Sequence, residues 1–174
     1  KLAPKIPVFI QLAHAGRKAS SAAPWHGGQL LDADHEGWQA YAPSAIPQLT
    51  TETPPTELDQ AGLDRIKQAF VETAQRAADM GIEMVELHSA HGYLLHEFLS
   101  PISNQRTDAY GGNFENRTRF VREVFEAVRA KFKGVLGLRL SATDWVEGGW
   151  TVEETAELSI RLKQLGANFV HISS

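Results

Sequence analysis

Four short apolar runs punctuate the 174 residues, at 8–12, 82–87, 135–140 and 168–172. Each is nearly continuous, the pattern of strands in a parallel sheet buried on both faces. Helical stripes separate the later runs. Residues 61–80 repeat apolar positions at Leu63, Ile66, Phe70, Ala74 and Ala77 and stop at Gly81. Residues 118–132 put Val121, Val124, Phe125, Val128 and Phe132 on one face, with Gly134 behind them. A third helix starts at Thr151, where Glu154 completes a capping box, buries Leu158, Leu162 and Leu165, and ends at Gly166. Strands alternating with helices require right-handed crossovers and a parallel sheet.

The connections are unequal. Those after strands are long and polar (13–58, 88–115 and 141–150), whereas those from helix to strand are a few residues. This asymmetry fits a (β/α)8 TIM barrel, whose functional loops follow the strands. A doubly wound sheet is the alternative, weakened because no Gly-x-Gly-x-x-Gly follows any strand. Pro43, Pro47, Pro54 and Pro55 mark an irregular loop rather than a domain linker. Seventeen Lys and Arg against 21 Asp and Glu give a net charge of −4, and no basic cluster with interleaved aromatics argues for nucleic acid. No apolar run approaches the roughly 20 residues of a membrane span. No leader-like shape is seen at Lys1, Leu2, Ala3 and Pro4, and a chain without cysteine is compatible with the cytoplasm. The first and last apolar runs sit close to the chain's ends, which suggests an internal piece of a longer protein.

Each strand ends in polar side chains: Gln11 and His14; His88, His91 and Tyr93; Arg139, Ser141, Thr143 and Asp144; His171 and Ser173. On a barrel they share one rim. His88 and His91 suit three roles: donors to an oxygen gaining negative charge, metal ligands with His96 or Glu97 as third partner, or structural groups. Tyr93 is a proton donor or a rim aromatic. Gln11 can donate and accept at once, which suits a heterocycle with carbonyl and N–H edges. Arg139 lies between Leu138 and Leu140, where its charge needs an ion-pair partner or an anionic ligand. Arg106, Asp108, Arg117 and Arg119 are expected to form an ion-pair network in the second long loop, with Gly111 and Gly112 in a tight turn. Trp25, Trp38, Trp145 and Trp150 line a pocket or pack on the rim.

Over nearly its whole length the chain resembles the old yellow enzyme family of FMN-dependent ene-reductases. The resemblance rests on Gln11-Leu-Ala-His-Ala-Gly-Arg17, on His88-x-x-His91-Gly-Tyr93, and on Asn104-x-Arg106-x-Asp108-x-Tyr110-Gly-Gly112 closing with Glu115-Asn116-Arg117. Its wording is nearest the bacterial NADPH dehydrogenase branch, and Asn113 departs from the expected Ser. The resemblance implies that residues 1–174 belong to one FMN-binding TIM-barrel domain of the NADH:flavin oxidoreductase/NADH oxidase type, spanning about strands 3 to 6. It assigns Gln11 and Arg139 to the flavin, His88 and His91 to the substrate carbonyl, and Tyr93 to protonation. NADPH would be the hydride donor and an α,β-unsaturated carbonyl compound the acceptor, with homo-oligomerisation left open. Alternatives are an iron–sulfur relative such as a 2,4-dienoyl-CoA reductase, a metal-dependent barrel hydrolase built on His88 and His91, and a non-catalytic remnant. In the family, the remaining strands supply further flavin contacts and the phosphate site. The 174 residues alone are therefore expected neither to fold stably nor to hold FMN tightly.

Overall fold

The computed structural model describes residues 6–174; residues 1–4, read above as lacking a leader's shape, lie outside them. The elements run β1 (Phe9–Leu12), β2 (Tyr41–Ala42), β3 (Thr56–Glu57), α1 (Gln60–Asp79), β4 (Met84–Ser89), α2 (Leu94–Leu99), α3 (Phe114–Lys131), β5 (Val135–Ser141), α4 (Val152–Gln164) and β6 (Phe169–Ser173). All four expected strands and all three expected helices are present. α3 begins four residues before its apolar stripe because the Asn113 side chain caps it, accepting from the Asn116 N–H at 3.0 Å. Asp59 caps α1 in the same way at 2.7 Å. The Thr151–Glu154 capping box closes in both directions at α4.

β1, β4, β5 and β6 form one parallel sheet in that order. Every crossover adds its strand on the same side, and right-handed crossovers then put α1, α3 and α4 on one face. There α1 packs on α3, and α3 on α4. Val85, Leu87, Leu136, Leu138 and Leu140 are fully buried against these helices, alongside Phe120, Val124 and Phe125. Such side chains contribute about 1.5–3 kcal/mol each on burial.

The other face of the sheet carries Phe9, Met84, Val135 and Phe169 toward the strands' N-terminal ends and Gln11, Glu86, His88, Arg139, Ser141, His171 and Ser173 toward their C-terminal ends. Doubly wound sheets bury apolar side chains under helices on both faces; this sheet does so on one, and its inner face is polar toward the C-terminal strand ends. The outer strands also depart from the expectation of two-sided burial: Phe9 and Ile172 are about half exposed.

Two features lie outside the sequence pattern. α2 sits within what reads as loop, and all six of its residues are buried. β2 and β3 pair in a separate small parallel sheet. The second long loop is pinned largely through main-chain carbonyls. Arg106 donates to the Pro43 and Leu58 carbonyls at 2.9 and 2.7 Å and pairs with Asp108 at 2.6 Å. Arg117 binds Glu154 and the Leu99 carbonyl, and Arg119 the Ala109 carbonyl. The expected network is thus three separate anchors, of which only Arg106 and Asp108 pair with each other. At Gly111 a Cβ would lie 2.1 Å from the Arg106 carbonyl oxygen, so the turn excludes any larger residue.

Candidate active site

His88 projects from the inner face of β4 and is 4% exposed. Past the strand end, His91 and Gly92 both take left-handed backbone conformations (φ 59° and 68°). This sharp turn brings His91 back toward His88, with ring centroids 5.1 Å apart. Tyr93 opens α2 and meets His88 edge-on, also at 5.1 Å. The turn is tied to the neighbouring strands. The His91 N–H donates to Ser141 Oγ at 3.0 Å, and its Nε2 lies 2.8 Å from Ser173 Oγ. Arg139 Nη2 donates to the same Ser173 oxygen at 3.0 Å.

All five residues singled out from the sequence, Gln11, His88, His91, Tyr93 and Arg139, line one open cavity of about 660 Å³. So does Lys18, whose role sequence reasoning missed. Its Nζ donates to the His91 carbonyl at 2.8 Å and lies 6.0 Å from the centre of the Tyr93 ring. The only sequence signal for it was a cation just after a polar strand end.

Burial, reinforced by the neighbouring His91 imidazole and the Arg139 charge, pushes the His88 pKa down to about 4. Burial and Arg139 likewise lower that of His91. Both imidazoles are therefore neutral at physiological pH, each with one N–H to give. His88 Nδ1 and Arg139 Nε are buried without a partner among the described residues. Buried polar atoms are normally paired. A flat ring with a polar edge, facing Gln11 and Arg139, fits this face.

The candidate third metal ligands are engaged elsewhere. His96 accepts the Gly92 N–H at Nδ1 (2.8 Å) and sets Nε2 against Asp144 at 3.1 Å. Glu97 accepts the Arg17 N–H at 2.9 Å. Among the described residues no three His, Asp or Glu side chains converge as a ligand set. Of the tryptophans, Trp150 is buried and stacks on Phe114, whereas Trp25, Trp38 and Trp145 are exposed. No helix of the described residues is long and apolar enough to cross a membrane.

The profile of the NADH:flavin oxidoreductase / NADH oxidase family matches residues 4–174. The NADPH dehydrogenase of Geobacillus thermodenitrificans is 43% identical, over 96% of this chain and 45% of the relative. The old yellow enzyme homologue of Zymomonas mobilis superposes with a TM-score of 0.74 at 27% identity, over 95% of this chain and 47% of that one. A 2-naphthoyl-CoA reductase in complex with 2-naphthoyl-CoA superposes at 0.79 with 29% identity, over 95% of this chain and 26% of that one. The chain thus spans less than half the length of these relatives, and its sheet is an arc of a (β/α)8 barrel.

Proposed function

The chain belongs to the NADH:flavin oxidoreductase / NADH oxidase family, and from that premise we propose that it carries the substrate-activating part of an FMN-dependent NADPH dehydrogenase that reduces α,β-unsaturated carbonyl compounds. The observation that supports this most is the convergence of Gln11, His88, His91, Tyr93 and Arg139 on one cavity. Gln11 and Arg139 would hold the FMN, which when bound would supply the hydride-transfer chemistry between NADPH and the substrate's double bond.

The protein's own groups then have separate tasks. Gln11 offers an amide to the polar ring edge of the cofactor. Arg139 places a fixed positive charge on the inner face, which would favour a bound ring that gains negative charge. The neutral imidazoles of His88 and His91 each give one N–H to the substrate oxygen. They draw electron density toward it and stabilise the negative charge that develops there. Because both are held neutral, they donate hydrogen bonds without surrendering a proton to solvent-exposed groups. Tyr93 donates its phenolic proton to the α-carbon. The Lys18 ammonium fixes the His91 main chain by its hydrogen bond. The site's neutral and cationic donors suit a substrate that becomes anionic in the transition state.

A second reading, an iron–sulfur relative acting on unsaturated CoA thioesters, draws support from the likeness to the 2-naphthoyl-CoA reductase. The higher identity to an NADPH dehydrogenase favours the first. A hydrolase using His88 and His91 on a metal would need His96 or Glu97 released from the partners that hold them.

The test is an anaerobic absorbance titration of the full protein, first with NADPH and then with a cyclic enone. Bleaching of a flavin band by NADPH and its return with the enone is expected. A colourless protein that binds zinc would overturn the flavin reading. A yellow protein that only an unsaturated CoA thioester reoxidises would favour the second reading.

A further inference from the structure

Glu86 is a carboxylate in an apolar strand, 4% exposed, with no part in the chemistry above. Its position on β4 is in register with Gln11 on β1 and Gly137 on β5. One oxygen accepts the Gln11 side-chain N–H at 2.5 Å. The other lies 3.1 Å from His171 Nδ1, two strands away. Gly137, on the strand between them, has no side chain, and the Phe169 ring packs where its Cβ would stand. Both carboxylate oxygens are therefore engaged, one toward each neighbouring inner-face group.

We propose that Glu86 is the positioning residue for cofactor recognition, fixing the Gln11 amide so that its carbonyl oxygen faces the cavity and accepts from a ring N–H. The inference rests on the flavin reading above. The reason is the donor inventory. An amide offers N–H on one side and C=O on the other, and free in solution it presents either to a ligand. A carboxylate has no donor, so it takes only the N–H side. The Gln11 carbonyl is then committed to the cavity it lines. The pyrimidine edge of an isoalloxazine presents one imide N–H between two carbonyls. A locked acceptor at residue 11 selects that N–H, whereas an amide free to turn would not.

The experiment compares FMN with 3-methyl-FMN, which lacks that N–H, by binding to apoprotein prepared from the full protein. The readout is the ratio of the two dissociation constants by flavin fluorescence quenching. One hydrogen bond to a locked acceptor predicts a preference for FMN on the order of tenfold in the native protein. In Glu86→Gln, nearly isosteric but able to present either a donor or an acceptor to residue 11, the preference should collapse to within about twofold. Gln11→Leu should lose it equally, and adding Glu86→Gln to Gln11→Leu should change nothing more. Gln11→Leu tests the contact itself; should Glu86→Gln fold poorly, Glu86→Met, which leaves the Gln11 amide free to turn, should collapse the ratio in the same way, and a retained ratio there overturns the proposal. A purely structural role for Glu86 would weaken both flavins by one factor and keep the ratio, and that result overturns the proposal. A native protein that binds neither flavin overturns the flavin reading itself. One that binds both without preference leaves that reading standing and sinks only the role given to Glu86.

Discussion

Glu97 should make this fold less stable as the pH rises, and Glu97→Gln should abolish the effect. The side chain is fully buried in α2, and burial raises its pKa from 4.5 to about 8, against the opposing hydrogen bond from Arg17. One oxygen accepts the Arg17 N–H, and the other has no partner among the described residues. Between pH 4.5 and 8 the folded state therefore holds a proton that the unfolded chain has released. Stability is greatest below that window and falls as pH rises through it. At about 1.4 kcal/mol per pH unit, the window is worth up to about 5 kcal/mol. Glutamine keeps the acceptor for Arg17 and cannot ionise. Its amide NH2 enters a site without a partner, a pH-independent cost of about 1–3 kcal/mol. Urea denaturation of the full protein, followed by circular dichroism near pH 5 and near pH 9, separates the two. The variant should be the less stable at pH 5 and the more stable at pH 9. A stability difference that does not change with pH would refute the assignment of a buried neutral carboxyl.

Tyr93→Phe should slow reoxidation by enone about 100- to 10,000-fold while leaving reduction by NADPH unchanged, as stopped-flow absorbance of the two half-reactions would resolve. His88 behaves oppositely to Glu97 in pH. Its pKa falls from 6.5 to about 4 on folding, so the unfolded chain binds the extra proton and stability drops as pH falls through that interval. The loss is at most about 3 kcal/mol, and His88→Asn should flatten it in acid denaturation. Arg106→Met would strand the buried Pro43 and Leu58 carbonyls, while the half-exposed Asp108 carboxylate turns to solvent. It should cost about 2–5 kcal/mol, read as a fall in melting temperature.

The backbone plan was legible because short apolar runs and 3.6-residue stripes both report burial against one helical layer. The five residues named for the site were legible for another reason. A polar side chain inside or at the end of an apolar strand has few explanations besides a ligand or a partner, and the topology carried all five to one cavity. α2 was hidden because helical reading depends on contrast between faces. In Leu94-Leu95-His96-Glu97-Phe98-Leu99 every side chain is buried; His96 meets the Gly92 N–H and Asp144, and Glu97 accepts the Arg17 N–H at one oxygen only. The predicted arginine network failed differently. Sequence shows which charges are near one another along the chain, but arginine's five donors reach carbonyls as readily as carboxylates. Lys18 and Glu86 were missed because their importance lies in what they hold, His91 and Gln11, and that relation exists only across strands.

The sheet's outer strands lead to a further prediction. β1 and β6 flank the four-stranded arc, and their apolar side chains Phe9, Ile10 and Ile172 are 56%, 38% and 49% exposed. Gln11 and His171, which bracket Glu86 on the inner face, lie on these same two strands. Among the described residues neither edge is paired, and edges of this kind template pairing with other chains. Loosening either edge also loosens a partner of Glu86, so flavin affinity and edge order should fail together. The 174 residues expressed alone should therefore self-associate on gel filtration and lose FMN on the column. The full protein should stay yellow and elute as a discrete species. A monodisperse 174-residue chain that retains stoichiometric FMN would mean that these four strands order their own edges, and that the cofactor's hold comes mainly from Gln11 and Arg139.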